Sequence, residues 1–424
     1  MTPPPLFRVI LRHSLLLFLG VAMILSLEYV GMFEGADNYL HDLSFRVRGA
    51  VVANNDIIIV AIDEQTLEKL GRWPLNRRHY ATLLDRTREA RVVAFDIIMA
   101  EPTGDDIIFE EAMRGHGHVV LPAHLDDGLG FRNPASTLTS YRAGHVHVEQ
   151  GVDGVVRKVF HRLKSGSASL PSFSLAILET VDGSAPATER PQASPSSGHP
   201  AVVQDEAMHI NFYGPEGTFR TVSFADVIDG TYRSDLFRGK IVFVGVTAAG
   251  LEDKVLTPFT QNRDRMSGVE VHASCLSNLL HQDFIRVLPD RFRIVTALFL
   301  SAGTLFLFIR LDERRAVALL MAGLATVTFL TFFLFSSPGI WANPSLLFAS
   351  FSFMFLVAYI VRIERVGQLL FFAKAEWEAT FNDINDAIVV HDRDFTIIRA
   401  NRAAVPFIEG AQSETWHARF RDLG

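Results

Sequence analysis

Acidic side chains follow several apolar segments that have the composition of buried strands. Asp63 and Glu64 come directly after a β-branched run, Asp96 ends a second run, and Asp105 and Asp106 follow it shortly after. In an open α/β sheet, ligands bind in the crevice outside the carboxyl ends of the strands. These carboxylates therefore predict an acidic pocket for a small cationic or polyhydroxy ligand, or for a divalent cation. The alternative is that they only cap the helices that follow.

Three further polar residues alternate with valines. His145, His147 and Glu149 are separated by Val146 and Val148, so in a strand all three polar side chains would share one face. Zinc uses such ligands, but a half-buried strand with one wet face has the same pattern. We therefore assign no metal site to them.

Signatures of catalysis and of nucleotide binding are missing from the sequence. The turn at residues 245–250 continues with Leu251, Glu252 and Asp253, not with the Lys and Ser or Thr of a phosphate-binding loop. There is no Gly-x-Ser-x-Gly elbow, no His-Glu-x-x-His helix and only one cysteine, Cys275. We predict no catalytic residue and no cofactor, and a formal net charge of −7 gives no reason to expect nucleic acid.

Alternating strands and helices are needed to position the strand-end carboxylates. Continuous β-branched runs at residues 56–63, 92–96 and 240–245 have the pattern of parallel strands that are buried on both faces. We predict one helix that begins after an Asn76 cap and another over residues 106–114. This alternation predicts an α/β layered sheet.

Four apolar segments have the length of membrane-spanning helices, which need about 17–25 mostly apolar residues. They lie at residues 14–30, 292–309, 316–335 and 344–361. Because hydrocarbon offers no water to backbone polar groups, each segment is predicted to be α-helical. The first segment has the alternative of a cleaved secretory signal, since it has a basic start and a short apolar run.

Basic residues predict the orientation of the chain, because Lys and Arg in short loops stay on the cytoplasmic side. They precede the first span (Arg8 and Arg12), follow the last one (Arg362 and Arg365), and number three in the loop at residues 310–315. We predict a multi-pass protein of the cytoplasmic (inner) membrane, with residues 1–13 inside, 31–290 outside and 362–424 inside.

The segment that is predicted to lie outside is similar to the type 2 CHASE sensory domain. The resemblance covers about residues 31–285 in order. It rests on residues 37–48, the strand at 56–63, Gly71-Arg72-Trp73-Pro74 with Arg77, Phe95-Asp96, residues 153–157 and 239–245, Asp253, Thr257-Pro258 and residues 268–273. Members of that family are extracytoplasmic sensors of bacterial receptors, so the resemblance implies signal input and leaves the ligand unidentified. In and beside these blocks we choose as candidate ligand-binding residues Asp63, Glu64, Trp73, Asp96, Arg157, Asp253 and His272.

An apolar seam follows the last predicted span. Ile363, Val366, Leu370, Ala373 and Trp377 recur at alternating three- and four-residue steps. This spacing predicts a short coiled coil in a signalling helix at residues 362–380, and hence a homodimer through the signalling and transmembrane helices. The alternative is a single amphipathic helix at the membrane face.

Residues 374–410 resemble the first half of a PAS domain. They read as a helix, a strand, a turn, a second strand and a helix led by Asn401, with Ala387 where a Gly is common. We assign residues 381–424 to a partial PAS domain, whose sheet would need further strands to close its open edge. Those strands belong either to a longer protein, of which this chain is a fragment, or to a partner, and we favour the fragment.

These patterns together predict an α/β extracytoplasmic sensor domain, four transmembrane α-helices and a partial α+β PAS-like cytoplasmic segment. The function they favour is a receptor that senses an unknown small ligand or other stimulus. It would relay the signal through the lipid membrane to the PAS module and to a missing or separate effector of the histidine kinase or cyclase class. The alternative is a membrane-anchored extracytoplasmic enzyme that uses the strand-end carboxylates as acid and base.

Overall fold

The computed structural model describes residues 5–126, 130–165, 168–183, 202–204, 207–251, 253–260, 265–393 and 396–409. The helices are α1 (Pro5–Tyr29), α2 (Glu34–Arg48), α3 (Glu64–Leu70), α4 (Arg77–Arg86), α5 (Asp106–His116), α6 (Phe173–Val181), α7 (Phe224–Ile228), α8 (Gly268–His281), α9 (Asp290–Arg310), α10 (Glu313–Ser336), α11 (Ser345–Asp383) and α12 (Val405–Glu409). The strands are β1 (Ile57–Ile62), β2 (Val92–Asp96), β3 (Val119–Asp126), β4 (Gly130–Arg132), β5 (Arg142–His145), β6 (Glu149–Gln150), β7 (Val156–Phe160), β8 (Arg162–Ser165), β9 (Ala168–Pro171), β10 (Val202–Gln204), β11 (Ala207–His209), β12 (Arg220–Ser223), β13 (Ile241–Val246), β14 (Lys254–Val255), β15 (Met266–Ser267), β16 (Arg286–Val287), β17 (Ile340–Trp341), β18 (Val389–His391) and β19 (Ile397–Ala400).

A seven-stranded sheet forms the centre of the α/β domain. Its order is β12-β1-β13-β2-β3-β4, with β5 also paired to β3. Every pairing in it is parallel except that of β3 with β4. The chain passes from β1 to β2 and returns much later to place β13 between them, so residues distant in sequence meet at the ends of these three strands.

Helices cover both faces of this sheet, which is why its central strands are apolar throughout. All six residues of β1 are buried. Ile58 and Val60 face the core that contains Tyr80 of α4 and Phe109 of α5, whereas Ile57 and Ile59 face the core that contains Phe173 of α6 and Val269 of α8. The three-layer α/β arrangement agrees with the prediction from the β-branched runs.

Helix starts and ends follow local side-chain chemistry. The Asn76 side chain accepts a hydrogen bond from the backbone N–H of Arg78, which caps α4 at the predicted position. Helix α5 runs to His116, two residues beyond the predicted end, and stops at Gly117 in the left-handed conformation at φ 82°.

Among the residues that the structure describes, three helices are long and apolar enough to cross a membrane: Asp290–Arg310, Glu313–Ser336 and Ser345–Asp383. The first predicted span, residues 14–30, reaches that standard only if it is joined to α2, from which it is bent by 72°. Helix α11 continues without interruption through the last predicted span and the predicted signalling helix. The predicted boundary between the last span and the signalling helix, at residues 361–362, therefore lies inside one continuous helix.

The C-terminal segment contains the predicted order of a helix, a strand, a turn and a second strand. Strands β18 and β19 form an antiparallel pair. The Asn401 side chain accepts a hydrogen bond from the backbone N–H of Ile388 and donates to the carbonyl oxygens of Ile384 and Asp386. The remainder of the proposed PAS segment, residues 410–424, lies outside the described residues.

Candidate functional site

A cavity of about 780 Å³ opens at the carboxyl ends of β2 and β13, where a parallel α/β sheet is expected to hold its ligand. We call this cavity the strand-end crevice. Its lining residues are Trp73, Asp96, Ile97, Ile98, His124, Val146, His147, Val148, Glu149, Gln150, Val246, Leu251, Asp253, Val255, Gly268, Val269, Val271 and His272. Four of the candidate residues chosen from the sequence are among them: Trp73, Asp96, Asp253 and His272.

Asp63 belongs to the helix that follows it. Its carboxylate accepts hydrogen bonds from the backbone N–H of Thr66 at 2.9 Å, from the Thr66 hydroxyl at 2.6 Å and from the Ser223 hydroxyl at 3.0 Å. These bonds make Asp63 the N-cap of α3, which is the arrangement that the capping alternative describes.

Glu64 also lies outside the lining of the strand-end crevice. Its side chain is exposed and accepts a hydrogen bond from the backbone N–H of Ala249 at 2.8 Å. That bond lowers the pKa of Glu64 from its ordinary value. The contact joins the start of α3 to the turn after β13.

Arg157 lines a second cavity, of about 530 Å³, in the same compact unit of the chain. Its guanidinium donates to both carboxylate oxygens of Asp42 on α2, at 2.9 and 2.7 Å, and also to Asp153. A two-pronged arginine–carboxylate contact fixes the orientation of both groups. Arg157 therefore attaches α2 to strand β7.

Asp96 differs from the other strand-end carboxylates, because no described residue forms a hydrogen bond with its side chain. Asp105, by contrast, pairs with Arg78, and Asp106 pairs with Arg77. Burial raises the pKa of Asp96, and the nearby charges only modulate this, with His272 favouring the carboxylate and Asp253 opposing it. An ionisable group in this condition marks a candidate functional site.

His272 stands beside Asp96 on the first turns of α8. Its side chain is only 4 % exposed, and no described residue hydrogen-bonds its ring nitrogens. Burial lowers the pKa of His272, while the charges of Asp96 and Asp253 act in the opposite direction. The N-terminus of α8 also lies against Asp96, since a Cβ atom added at Gly268 would be 3.7 Å from Oδ2 of Asp96, an ordinary contact distance.

The structure corrects the interpretation of the His145, His147 and Glu149 alternation. Strand β5 ends at His145, which is fully buried, and β6 begins only at Glu149, so the three residues do not share one strand face. His147 and Glu149 nevertheless line the strand-end crevice together with His124. Over the described ranges, no group of three His, Cys, Asp or Glu side chains is placed to hold a metal ion.

Several crevice residues were missed by sequence reasoning. His124 lies near the end of β3, and apolar residues such as Ile97, Val246 and Val269 form much of the wall. The position of Ile97 directly after Asp96 could have identified it, because both follow the same strand. Val269 offers no such signal, since its place depends on how α8 packs against the sheet.

Asp96→Asn is expected to make the ligand-free protein more stable at pH 8, by about 1–3 kcal/mol, because a partly buried carboxylate without a partner destabilises the fold. The folded protein holds the Asp96 proton more tightly than the unfolded chain does, since burial raises the pKa. The stability linked to that proton is present below the unfolded pKa and is lost as the pH rises through the folded pKa. The gain from Asp96→Asn should therefore shrink towards pH 4.

Thermal unfolding of the full chain in detergent micelles at several pH values measures this effect. Asp85→Asn is the matched control, because Asp85 is exposed on α4 and the same substitution there should change nothing. A variant Asp96→Asn that is less stable than the parent at both pH 8 and pH 4 would show that the carboxylate has a structural role.

The described residues thus combine an α/β domain that has a strand-end crevice with three helices that are long and apolar enough to cross a membrane. A family model for the CHASE2 domain matches residues 16–306, which is more than half of the chain, so the chain belongs to the CHASE2 domain family. CHASE2 is a sensory domain of signalling receptors. No match was found among the curated proteins or among the solved structures.

Proposed function

We propose that this protein is a bacterial transmembrane receptor whose α/β domain binds a small ligand in the strand-end crevice. The observation that carries the proposal is the pair Asp96 and His272. Both line a cavity at the strand ends, and neither has a hydrogen-bond partner among the described residues. Buried polar groups without hydrogen-bond partners destabilise a protein core, but in a ligand site they can form hydrogen bonds with the ligand.

The proposed location is the cytoplasmic membrane, with the α/β domain on the outer side. The arginines at residues 310–315 and after residue 361 support this orientation, because basic loops are retained in the cytoplasm. CHASE2 domains are typically extracytoplasmic. Helix α1 would then also cross the membrane, which gives four spans in all. The bend between α1 and α2 would lie at the outer membrane surface.

Ion pairs within the compact unit formed by residues 26–297 and 324–348 support a mechanical relay. Arg293, near the start of α9, pairs with Glu28 at the end of α1 at 2.6 Å. Asp37 on α2 accepts a hydrogen bond from the backbone N–H of Ser345, the first residue of α11, at 2.9 Å. Arg293 also lies 3.9 Å from Asp37, so the ends of α1, α2, α9 and α11 are connected to one another.

Strand β6 connects the strand-end crevice to this set of helices. Glu149 and Gln150 line both the crevice and the Arg157 cavity. They pair with β7, which carries Arg157 and through it the contact to Asp42 on α2. A ligand that repositions β6 would therefore act on α2, and small helix shifts of this kind are an established means of switching.

The output side of the proposal begins at the continuous helix α11. All five seam residues, Ile363, Val366, Leu370, Ala373 and Trp377, are exposed in the single chain. A second copy of this chain would bury them in a coiled coil, which makes a homodimer the proposed assembly. The segment after α11 is proposed to be a PAS module that acts on an effector of the histidine kinase or cyclase class.

Arg157→Met is expected to change the distance between the two α11 helices of the dimer by about 2 Å or more, because α2 loses its ion pair with β7. The distance is measured by pulsed electron paramagnetic resonance on the full chain in nanodiscs, with a nitroxide at Gln368→Cys. Residue 368 is exposed, and the only natural cysteine, Cys275, is fully buried and will not be labelled.

The matched control for this measurement is Arg238→Met, which removes an exposed arginine that pairs with Glu89. It should leave the distance distribution unchanged. Identical distributions for Arg157→Met and the parent chain would contradict the relay. The absence of any distance between two labels would contradict the dimer.

A further inference from the structure

We propose that the ligand of the strand-end crevice is a small organic cation, an ammonium group on a compact apolar body, with the ammonium group bound by Asp96. This inference rests on the proposed function of the crevice as the ligand site. It goes further by naming the charge and the shape of the ligand.

The charged residues of the lining select the sign of the ligand. Three carboxylates line the crevice, those of Asp96, Asp253 and Glu149, and its other ionisable side chains are histidines. No described lysine or arginine belongs to the lining. Lys158 balances Glu149, so an anionic ligand would still meet the carboxylates of Asp96 and Asp253, for which the lining offers no lysine or arginine, whereas a cation would be attracted by both.

Asp96 and His272 determine where the charged group binds. Glu149 already pairs with Lys158 at 2.9 Å, and Asp253 is exposed. Asp96 is the carboxylate whose pKa is raised by burial and whose oxygens have no described partner. An ammonium group would supply that partner, and the neutral imidazole of His272 offers a second acceptor for its N–H groups.

The N-terminus of α8 is a feature of the crevice that would favour an anion. Its position beside Asp96 means that the positive end of the helix already faces a carboxylate of the protein. The backbone N–H of Gly268 is also occupied, because it donates to the carbonyl oxygen of Asp253 at 2.9 Å. An added anion would have to compete with Asp96 for the same end of the helix.

The apolar part of the lining determines the body of the ligand. Ile97, Val246 and Val269 contribute apolar wall, and Trp73 adds an aromatic side chain. An indole face attracts cations as well as apolar groups. A volume of about 780 Å³ is within the range of small-molecule sites. A divalent ion would need several ligand atoms close together, and the described residues place no such group here.

The pH dependence of binding separates a cation from an anion. The ionisable groups that face the crevice are Asp96, His272, Asp253, Glu149, His147 and His124. A proton on Asp96, whose pKa is raised by burial, removes the charge that attracts a cation, and a proton on His272 or His147 adds a charge that repels one. Affinity for a cation should therefore decrease from pH 8 to pH 5, and affinity for an anion should increase.

Calorimetric titration of the full chain in detergent micelles tests the proposal with three probes that share an indole ring. Tryptamine carries an ammonium group, tryptophol a hydroxyl group and indole-3-acetate a carboxylate. We expect tryptamine to bind at least about ten-fold more tightly than the other two, and Asp96→Asn to weaken it roughly 10- to 100-fold. Asp85→Asn should leave tryptamine binding unchanged, and because probe partition into micelles is the same for each variant, the difference reports the crevice.

Three results would overturn the proposal that the ligand is a cation. They are tightest binding by indole-3-acetate or tryptophol, an affinity for tryptamine that rises in acid, and no binding of tryptamine. Saturation by magnesium or zinc chloride that depends on Asp96 would also overturn it in favour of a metal ion. If a neutral or anionic probe binds best and Val246→Trp abolishes its binding, the crevice is still the ligand site. That result would refute only the proposed positive charge of the ligand. If tryptamine binds but does not alter the distance between the α11 helices, the proposed receptor function is refuted. The proposal that the ligand is a cation would remain supported.

Discussion

Arg77→Met is expected to lower the free energy of unfolding of the α/β domain by about 3–5 kcal/mol, because it leaves a buried carboxylate without its counter-ion. Arg77 and Asp106 are 6 % and 2 % exposed and form an ion pair between α4 and α5. Arg77 also donates to the carbonyl oxygen of Glu101 at 2.5 Å. Chemical denaturation of the full chain in micelles, followed by tryptophan fluorescence, measures the loss.

The adjacent arginine provides the control. Arg78 pairs with Asp105 at 2.7 Å, so two neighbouring arginines contact two neighbouring aspartates, but the Arg78 side chain is 66 % exposed. Solvent screens an exposed pair of this kind. Arg78→Met should therefore cause no measurable loss, and an equal loss in both variants would show that burial does not determine the effect.

The pH dependence of the Arg77 effect follows from Asp106. Burial opposes ionisation of this carboxyl group, but hydrogen bonds from Thr103 and Thr137 and the charge of Arg77 outweigh it and lower the pKa. The stability that the pair contributes is present above the unfolded pKa and is lost as the pH falls through the folded pKa. The difference between Arg77→Met and the parent chain should thus diminish in acid.

The two arginine–aspartate pairs illustrate what a sequence can and cannot predict. The helix that carries the two arginines was predicted from its Asn76 cap, which depends on neighbouring residues, and the structure places the cap there. The choice between a ligand site and a structural role for Asp105 and Asp106 depended on whether arginines 27 to 29 positions away lie opposite them. Local pattern contains no information on such a contact.

The strand-end crevice shows the same division between local and distant information. Asp96 was predicted at the end of a buried strand because the strand and its carboxylate are contiguous. Its proximity to Asp253 and His272 arises because β13 inserts between β1 and β2 and brings α8 with it. The resemblance to a sensory family selected those residues before their geometry was known, but it also selected Asp63 and Arg157, whose side chains are engaged in a cap and in ion pairs.

The prediction that His145, His147 and Glu149 share one strand face was wrong because of backbone geometry. A period of two places residues on one face only while the strand continues, and β5 ends at His145. Nothing in the spacing of valines signals that end. Residues 146–148 then continue outside any strand, and His147 and Glu149 reach the strand-end crevice while His145 remains in the core.

Gly245→Ala is expected to destabilise the α/β domain by about 1–3 kcal/mol or more and to weaken ligand binding, because the added methyl group has no space. A Cβ atom at residue 245 would lie 2.6 Å from Cβ and 2.8 Å from Cγ2 of Val269. Val269 is the second residue of α8, and Gly245 is paired with Asp96 in the sheet. Helix α8 must therefore move away from β13, which separates His272 from Asp96.

Two further variants identify the cause. Gly115→Ala, on α5, places a methyl group where nothing lies within 4 Å, so it should leave stability unchanged or raise it by up to about 1 kcal/mol through helix propensity. Val269→Gly removes the atoms that collide with an alanine at residue 245. If the collision is the cause, the double variant Gly245→Ala/Val269→Gly should bind tryptamine more tightly than Gly245→Ala alone, even though glycine weakens α8. Failure of that rescue would mean that Gly245 is required for its backbone and not for the space beside α8.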